Sequence, residues 1–286
     1  LAIAGLLGSP LSGWILEATD QMTGLAGWQW LFILEGLPTV LLAFVVLAVM
    51  TDRPQQAAWL SAAERDWLVA NVSPADAHHQ LEQGFWEKLF NPGIWFLALI
   101  YFCYLGSFAG IMLWAPTLIQ YHHPGLGNDT IGWLVGLPYI PFAIAMVYWG
   151  RHSDRTGERH WHVISAALVG SVGFGLLIVG ESLFALLTGF VVLMVGMGGG
   201  FSTYWGLVTV ALPARLAAIG IAVVNSAGAL GSFVSISLVG RLFDATGNYQ
   251  SGMALLTAMA LGAGALVFWL RVNSKRSADT PMPAGG

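Results

Sequence analysis

Along this chain the apolar positions neither alternate nor keep to one helical face. They run on continuously, over stretches long enough to cross a lipid bilayer. A spanning helix needs about 20 mostly apolar residues, and seven segments meet that requirement: about 30–50, 94–120, 131–150, 163–180, 183–212, 217–242 and 252–270. The opening run 1–16 reads as a partial eighth. Two spans, 94–120 and 183–212, exceed the needed length and must tilt, kink or extend beyond the bilayer. No basic stretch precedes the opening run, as a signal peptide would require, so the expectation is the downstream part of a longer chain, entered within a helix.

The one long polar stretch, 51–93, contains Ser61 and Glu64 at capping-box spacing, followed by Trp67, Leu68 and Val72. Each of the two side chains can satisfy an exposed backbone donor of the other's residue, so a short capped amphipathic helix is expected within a connector.

Composition narrows the class. Of 286 residues 56% are hydrophobic and 9% charged, against about 25% charged in soluble domains; a water-soluble enzyme is excluded. Net charge is −4, without the basic excess of a nucleic-acid binder. Cys103 is the single cysteine, which rules out an internal disulfide and a cysteine-based metal site. By parity, loops 51–93, 151–162, 213–216 and the tail from 271 share one side and carry ten of the 11 Lys+Arg; Arg241 is the exception. Cytoplasmic loops are enriched in these residues, so the C-terminus is expected in the cytoplasm and the protein in a plasma (bacterial inner) membrane.

A repeat then appears. Gly150–Gly157 (GRHSDRTG) and Gly240–Gly247 (GRLFDATG) both read G-R-x-x-D-x-T-G and fall on opposite sides by parity. Between them lie the third helix of one triplet and the first two of the next. Inverted three-helix repeats characterise secondary transporters, whose binding sites gather at interrupted helices in corresponding positions. Here those are the two overlong spans, broken by Gly106, Gly110 and Pro116 in one and by Gly196, Gly198, Gly199, Gly200 and Gly206 in the other. Close helix packing through small residues is a second reading of the same glycines, and both can hold.

Polar groups at membrane depth are costly and should face the bundle interior or a wet cavity. Asn225, Ser232 and Ser235 recur at helical spacing with Gly228; Ser202 and Thr209 recur with Gly206, beside Trp205; Tyr101, Tyr104 and Phe108 form an aromatic stripe. Together they offer hydrogen bonds to an oxygen-rich solute, although serine and threonine also bond their own helix backbone. Asn225 is the strongest candidate, since its amide finds no such local partner. Glu35 is the single carboxylate within a span proper, either a proton carrier or a structural hydrogen-bonding group. No Lys or Arg lies mid-span. His78 and His79 lack a third ligand; His152, His160 and His162 share a basic loop with no companion Cys and only Asp154 and Glu158 nearby; and the glycines at 196–200 lack the Lys-Ser/Thr of a phosphate loop. No catalytic, metal or cofactor constellation is visible.

At this point the residues resemble a known family. GRHSDRTGER at 150–159 is similar to the G-x-x-x-D-R-x-G-R/K pattern of the major facilitator superfamily. GSPLSG at 8–13, GWQWLFILEGLP at 27–38, DRPQQAAWLSAAERDWL at 52–68, YFCYLGSFAGIMLWAPTLI at 101–119 and VVNSAGALGSF at 223–233 resemble its anion:cation symporter branch. Members of that branch carry tartrate, sugar acids, phthalate or hydroxyphenylacetate. The resemblance implies an all-α integral membrane bundle with inverted three-helix repeats, of which this chain holds helices 5–12: the last two helices of the N-terminal bundle at 1–50, a cytoplasmic linker at 51–93, a C-terminal six-helix bundle at 94–270 and a tail at 271–286.

It further implies import of a small organic anion with protons by alternating access, by a monomer in the bilayer with neither cofactor nor nucleic acid. Gly150, Asp154, Arg155, Gly157 and Arg159 would form a conformational latch. Tyr101, Ser202, Trp205 and Asn225 would line the central cavity, with Tyr104 beside them. The family's basic anchor and main coupling acid belong to helices 1–4. An organic-anion exchanger of the same fold, and a non-transporting solute sensor signalling through 51–93, remain as alternatives.

Overall fold

The computed structural model describes residues 2–71 and 85–279, with the side chains of 214, 215 and 274–279 left aside. All of the regular structure in these residues is helical. In chain order the α-helices are α1 (Ala2–Ala18), α2 (Gly27–Val49), α3 (Ala62–Asn71), α4 (Phe85–Leu89), α5 (Pro92–His122), α6 (Asn128–Gly136), α7 (Tyr139–Thr156), α8 (His160–Val179), α9 (Leu183–Ala211), α10 (Ala214–Thr246) and α11 (Gln250–Asp279). Seven stretches are long and apolar enough to cross a membrane, α6 and α7 counting as one. They coincide with the seven expected spans. One is interrupted: the stretch expected as 131–150 breaks at Leu137–Pro138, because proline lacks an amide proton and its ring clashes with the carbonyl four residues before it.

The chain forms two compact units, Ile15–Lys88 and Leu1–Trp14 with Leu89–Gly286. In the smaller unit, Gly27 lets the start of α2 approach α1 closely; a Cβ there would sit 2.3 Å from the Leu16 carbonyl oxygen. Asp20 accepts a hydrogen bond from the Gly27 amide at 3.1 Å. Apart from Gln29, Glu35 and Thr39, α2 is apolar on all sides, with a mean hydropathy of 2.4 and no buried residue in that window, as suits a helix within a membrane. The capping box of α3 forms as expected: the Ser61 amide donates to Glu64 at 3.0 Å and the Glu64 amide to the Ser61 hydroxyl at 3.3 Å. The Ser61 side chain, followed by its backbone amide, holds the Glu64 carboxyl below its usual range. His78 and His79 lie outside the described residues.

In the larger unit, α5 starts where Asn91 accepts from the Gly93 amide at 2.9 Å, with Pro92 pre-set for the first helical position. Ser182 caps α9 in the same way at 3.2 Å. α5 runs parallel to α10, Tyr101 meeting Gly228 and Trp114 meeting Gly240. It runs antiparallel to α9, with Tyr104 against Gly200 near one level and Leu97 against Tyr204 near another. α8 packs on α9 and α11, and α7 packs on α9. Phe142, Phe174, Phe190, Ile111 and Leu193 fill the interior.

Small residues set the helix separations. A Cβ on Gly173 would meet the Leu193 amide at 2.3 Å, one on Gly196 the Gly170 amide at 2.2 Å, and one on Gly198 the Phe142 carbonyl at 2.3 Å. The glycine run of α9 thus lets one turn of helix touch α8, α7 and, through Gly200, Tyr104 of α5. Of the two readings of these glycines, close packing is realised directly.

The two copies of G-R-x-x-D-x-T-G end α7 and α10. Gly157 (φ 68°) and Gly247 (φ 71°) are both left-handed, a conformation that favours glycine and stops a helix. In both copies the threonine hydroxyl donates to the carbonyl four residues earlier, Thr156 to His152 at 2.9 Å and Thr246 to Leu242 at 2.7 Å. Because α7 and α10 run in opposite directions, the two turns lie at opposite ends of the bundle, the geometry of an inverted repeat.

Candidate functional site

Tyr101, Tyr104, Tyr204 and Trp205 meet between α5 and α9. Tyr101 stacks on Tyr204 with centroids 4.9 Å apart and planes 10° apart, and Tyr204 lies nearly parallel to Tyr104 at 6.4 Å. Trp205 meets Tyr101 edge-on at 5.3 Å. The three tyrosines are buried and Trp205 is half-buried. Two of the hydroxyls cross the helix interface in opposite senses: Tyr204 of α9 donates to the Leu97 carbonyl of α5 at 2.7 Å, and Tyr104 of α5 donates to the Met197 carbonyl of α9. Each carbonyl lies seven residues before the tyrosine on its own helix. The ladder is therefore braced at its inner end and open at the Trp205 edge.

The other sequence candidates sort by their hydrogen bonds. Ser202 donates within α9 to Gly199 at 3.1 Å, and Ser232 to Gly228 at 3.0 Å; for these the local backbone reading holds. Ser235 instead donates across to the Gly106 carbonyl of α5 at 2.7 Å and is fully buried. Asn225 is exposed on α10, one turn before Gly228, whose missing side chain leaves room for the Tyr101 ring. Glu35 lies exposed on α2 in the smaller unit.

The latch candidates gather at the end of the bundle where α7 finishes. Arg159 donates to Asp154 in a close ion pair and to the Ser153 hydroxyl at 3.4 Å, while that hydroxyl donates to the Glu158 carbonyl at 2.9 Å. Arg155 is exposed, and with Arg151 and Tyr148 it lines a groove of about 610 Å³ along α7. Gly150 faces Ser202, where a Cβ would lie 3.5 Å from its side chain, and the Arg159 guanidinium lies against Gly206, so the loop rests on the same stretch of α9 that carries Trp205.

Other residues take part through contacts that the sequence does not show. Tyr204, adjacent to Trp205, was passed over because a single tyrosine in an apolar run gives no periodic signal; its seven-residue spacing from Met197 matters only once α5 is beside it. Glu158 forms a hub, with Arg271 of α11 at 3.7 Å, His162 at 3.5 Å and His160 at 3.9 Å. Trp161 carries the Arg271 guanidinium over its ring at 4.8 Å. Arg271 is over a hundred residues from both Glu158 and Trp161, and only the fold joins them. His152 and His162 are hydrogen-bonded to each other at 2.7 Å. Among the described residues no three His, Cys, Asp or Glu groups converge to hold a metal ion.

Comparison with known proteins adds an independent line. The model of the Major Facilitator Superfamily matches residues 1–236 and 122–286. A protein from Agrobacterium vitis named for tartrate transport is 37% identical over 97% of this chain and 62% of its own length. The Pseudomonas putida protein NicT, named for metabolite transport, is 33% identical over 88% of this chain and 58% of its own. The Escherichia coli inner membrane transport protein RhmT is 29% identical over 95% and 62%. The chain therefore spans about three-fifths of the length of these relatives.

Proposed function

The chain belongs to the Major Facilitator Superfamily, and from that premise we propose that it forms the C-terminal part of a secondary transporter importing a small organic anion with protons. The observation that carries this reading is the 37% identity with the tartrate-named relative across 97% of the chain. The side chains are chemically suited to such a solute. The amide of Asn225 and the indole of Trp205 donate hydrogen bonds to carboxylate and hydroxyl oxygens, and the buried Tyr101 ring backs the Trp205 ring.

Mid-span positions of this chain hold no Lys or Arg, so the anion's countercharge comes from the portion of the relatives' length that this chain does not span. The end of the bundle bearing Arg151, Arg155, Arg159 and Arg271 faces the cytoplasm, in keeping with the positive-inside rule, and the protein acts as a monomer in a plasma (bacterial inner) membrane. There Asp154 and Arg155, set between the small residues Gly150 and Gly157, latch one conformation of the alternating-access cycle together with Arg159.

Uptake of labelled tartrate, a sugar acid and an aromatic acid into vesicles holding the full-length protein tests this reading. Gradient-dependent accumulation of one of them is expected. Exchange alone, with no response to the gradient, would replace symport by antiport, and saturable binding without flux would make the protein a sensor.

Two substitutions probe the residues. Asn225→Ala should raise KM about fivefold, the equivalent of one lost hydrogen bond, without reducing the yield of folded protein; an unchanged KM removes Asn225 from the site. Glu35 is the proposed proton carrier. Glu35→Gln should therefore abolish gradient-driven accumulation while leaving exchange intact, and full accumulation by this variant would exclude the role.

A further inference from the structure

The reciprocal brace between α5 and α9 does more than join two helices. A buried hydroxyl needs a partner, and Tyr204 and Tyr104 each find it on the other helix's backbone rather than on their own. The Tyr204 ring is consequently fixed at both ends, by its own helix and by Leu97. Tyr101 lies flat on that fixed ring at 4.9 Å, and Trp205 is held from two sides, edge-on to Tyr101 at 5.3 Å and to Tyr204 at 5.8 Å. Gly228 packs against Tyr101 from α10, where a Cβ would collide with the ring at 2.5 Å. Neither Tyr104 nor Tyr204 presents surface to a solute, being 3% and 0% exposed. Trp205 does.

Resting on the reading that Trp205 contacts the transported anion, we propose that Tyr204 and Tyr104 are positioning residues of that site. Their crossed hydroxyl–carbonyl bonds hold the Tyr101–Trp205 edge in its binding orientation. Tyr104, which the sequence groups with the solute contacts, acts through Tyr204 and Tyr101. The division of labour is specific: two tyrosines set an orientation, and the tryptophan at the open end of the ladder meets the ligand.

A double-mutant cycle separates this role from simple helix packing. It uses the full-length protein in proteoliposomes with radiolabelled tartrate as probe. Tyr204→Phe keeps the ring and removes the anchor; it should raise KM about fivefold while kcat and the yield of folded protein stay at parental levels. Trp205→Phe should also raise KM. Because Tyr204 acts through Trp205, the double variant should match Trp205→Phe alone, as expected for coupled rather than independent residues. Tyr104→Phe, the mirror-image change, should behave as Tyr204→Phe does.

Multiplying effects in the double variant, an unchanged KM in Tyr204→Phe, or loss of folded protein in both tyrosine variants would overturn the positioning role. If Trp205→Phe itself leaves KM unchanged, the placement of the site fails instead. Absence of tartrate uptake by the parent protein would remove both.

Discussion

Replacing Gly231 by leucine is expected to prevent α10 from docking on α5 and to cost about 3 kcal/mol or more, the upper end of overpacking penalties. At this position the backbones themselves touch. A Cβ would lie 2.2 Å from the Phe102 carbonyl oxygen and 2.9 Å from its carbon and Cα, so no rotamer change relieves the clash. The same contact carries the Ser235 hydrogen bond to Gly106 at 2.7 Å, and a Cβ on Gly106 would meet the Gly231 carbonyl at 2.8 Å. Widening the gap would break that bond and leave a buried hydroxyl without its cross-helix acceptor. In lipid, helices gain no hydrophobic driving force by associating and depend on such close packing. Size-exclusion yield and melting temperature of Gly231→Leu report the outcome; parental values for both would show that α5 and α10 are not held together here. Gly175, with open space where its Cβ would be, is the control position that should tolerate alanine.

Asp154→Asn should lower the transport rate about five- to tenfold, at the lower end of conformational coupling energies, with KM little changed. The substitution keeps shape and hydrogen-bonding capacity but removes the charge facing Arg159. The Asp154 side chain is 67% exposed, and exposed ion pairs contribute about 0–1 kcal/mol to folding, so loss of folded protein is not expected to account for the effect. What changes is the electrostatic preference of the α7–α8 loop for one conformation. Initial rates and KM from uptake measured at the same folded-protein density distinguish the cases. Rates equal to those of the parent would exclude Asp154 from any latch.

The long elements were legible because a bilayer imposes a length: runs of about 20 apolar residues have no other economical explanation, and all seven reappear as helices. The turns of the repeat were legible for a different reason. Gly157 and Gly247 occupy left-handed positions that side chains disfavour, so the backbone demands glycine and the sequence advertises it. The break at Leu137–Pro138 was missed, although Pro138 gave the signal; apolar content continued across it and masked the proline.

At the candidate site the residue types pointed to the region but not to the division of roles. Ser202 and Ser235 look alike in sequence. Yet Ser202 bonds only its own helix, while Ser235 reaches both its own Ser232 carbonyl and Gly106 of α5, a difference set by which face of α9 or α10 meets a neighbour. Tyr104 reads as a hydroxyl offered to solute and proves to be committed to Met197. Tyr204, Glu158 and Arg271 acquire their meaning from partners distant along the chain, and no local pattern encodes that.

The central claim, that anion and proton move together, is tested most directly by trapping a pH-sensitive dye inside proteoliposomes containing the full-length protein and adding tartrate outside. Symport requires that tartrate entry acidify the lumen, in a saturable manner and with the same KM as uptake of the labelled acid. Tartrate entry at full rate with no change in lumen pH would contradict it.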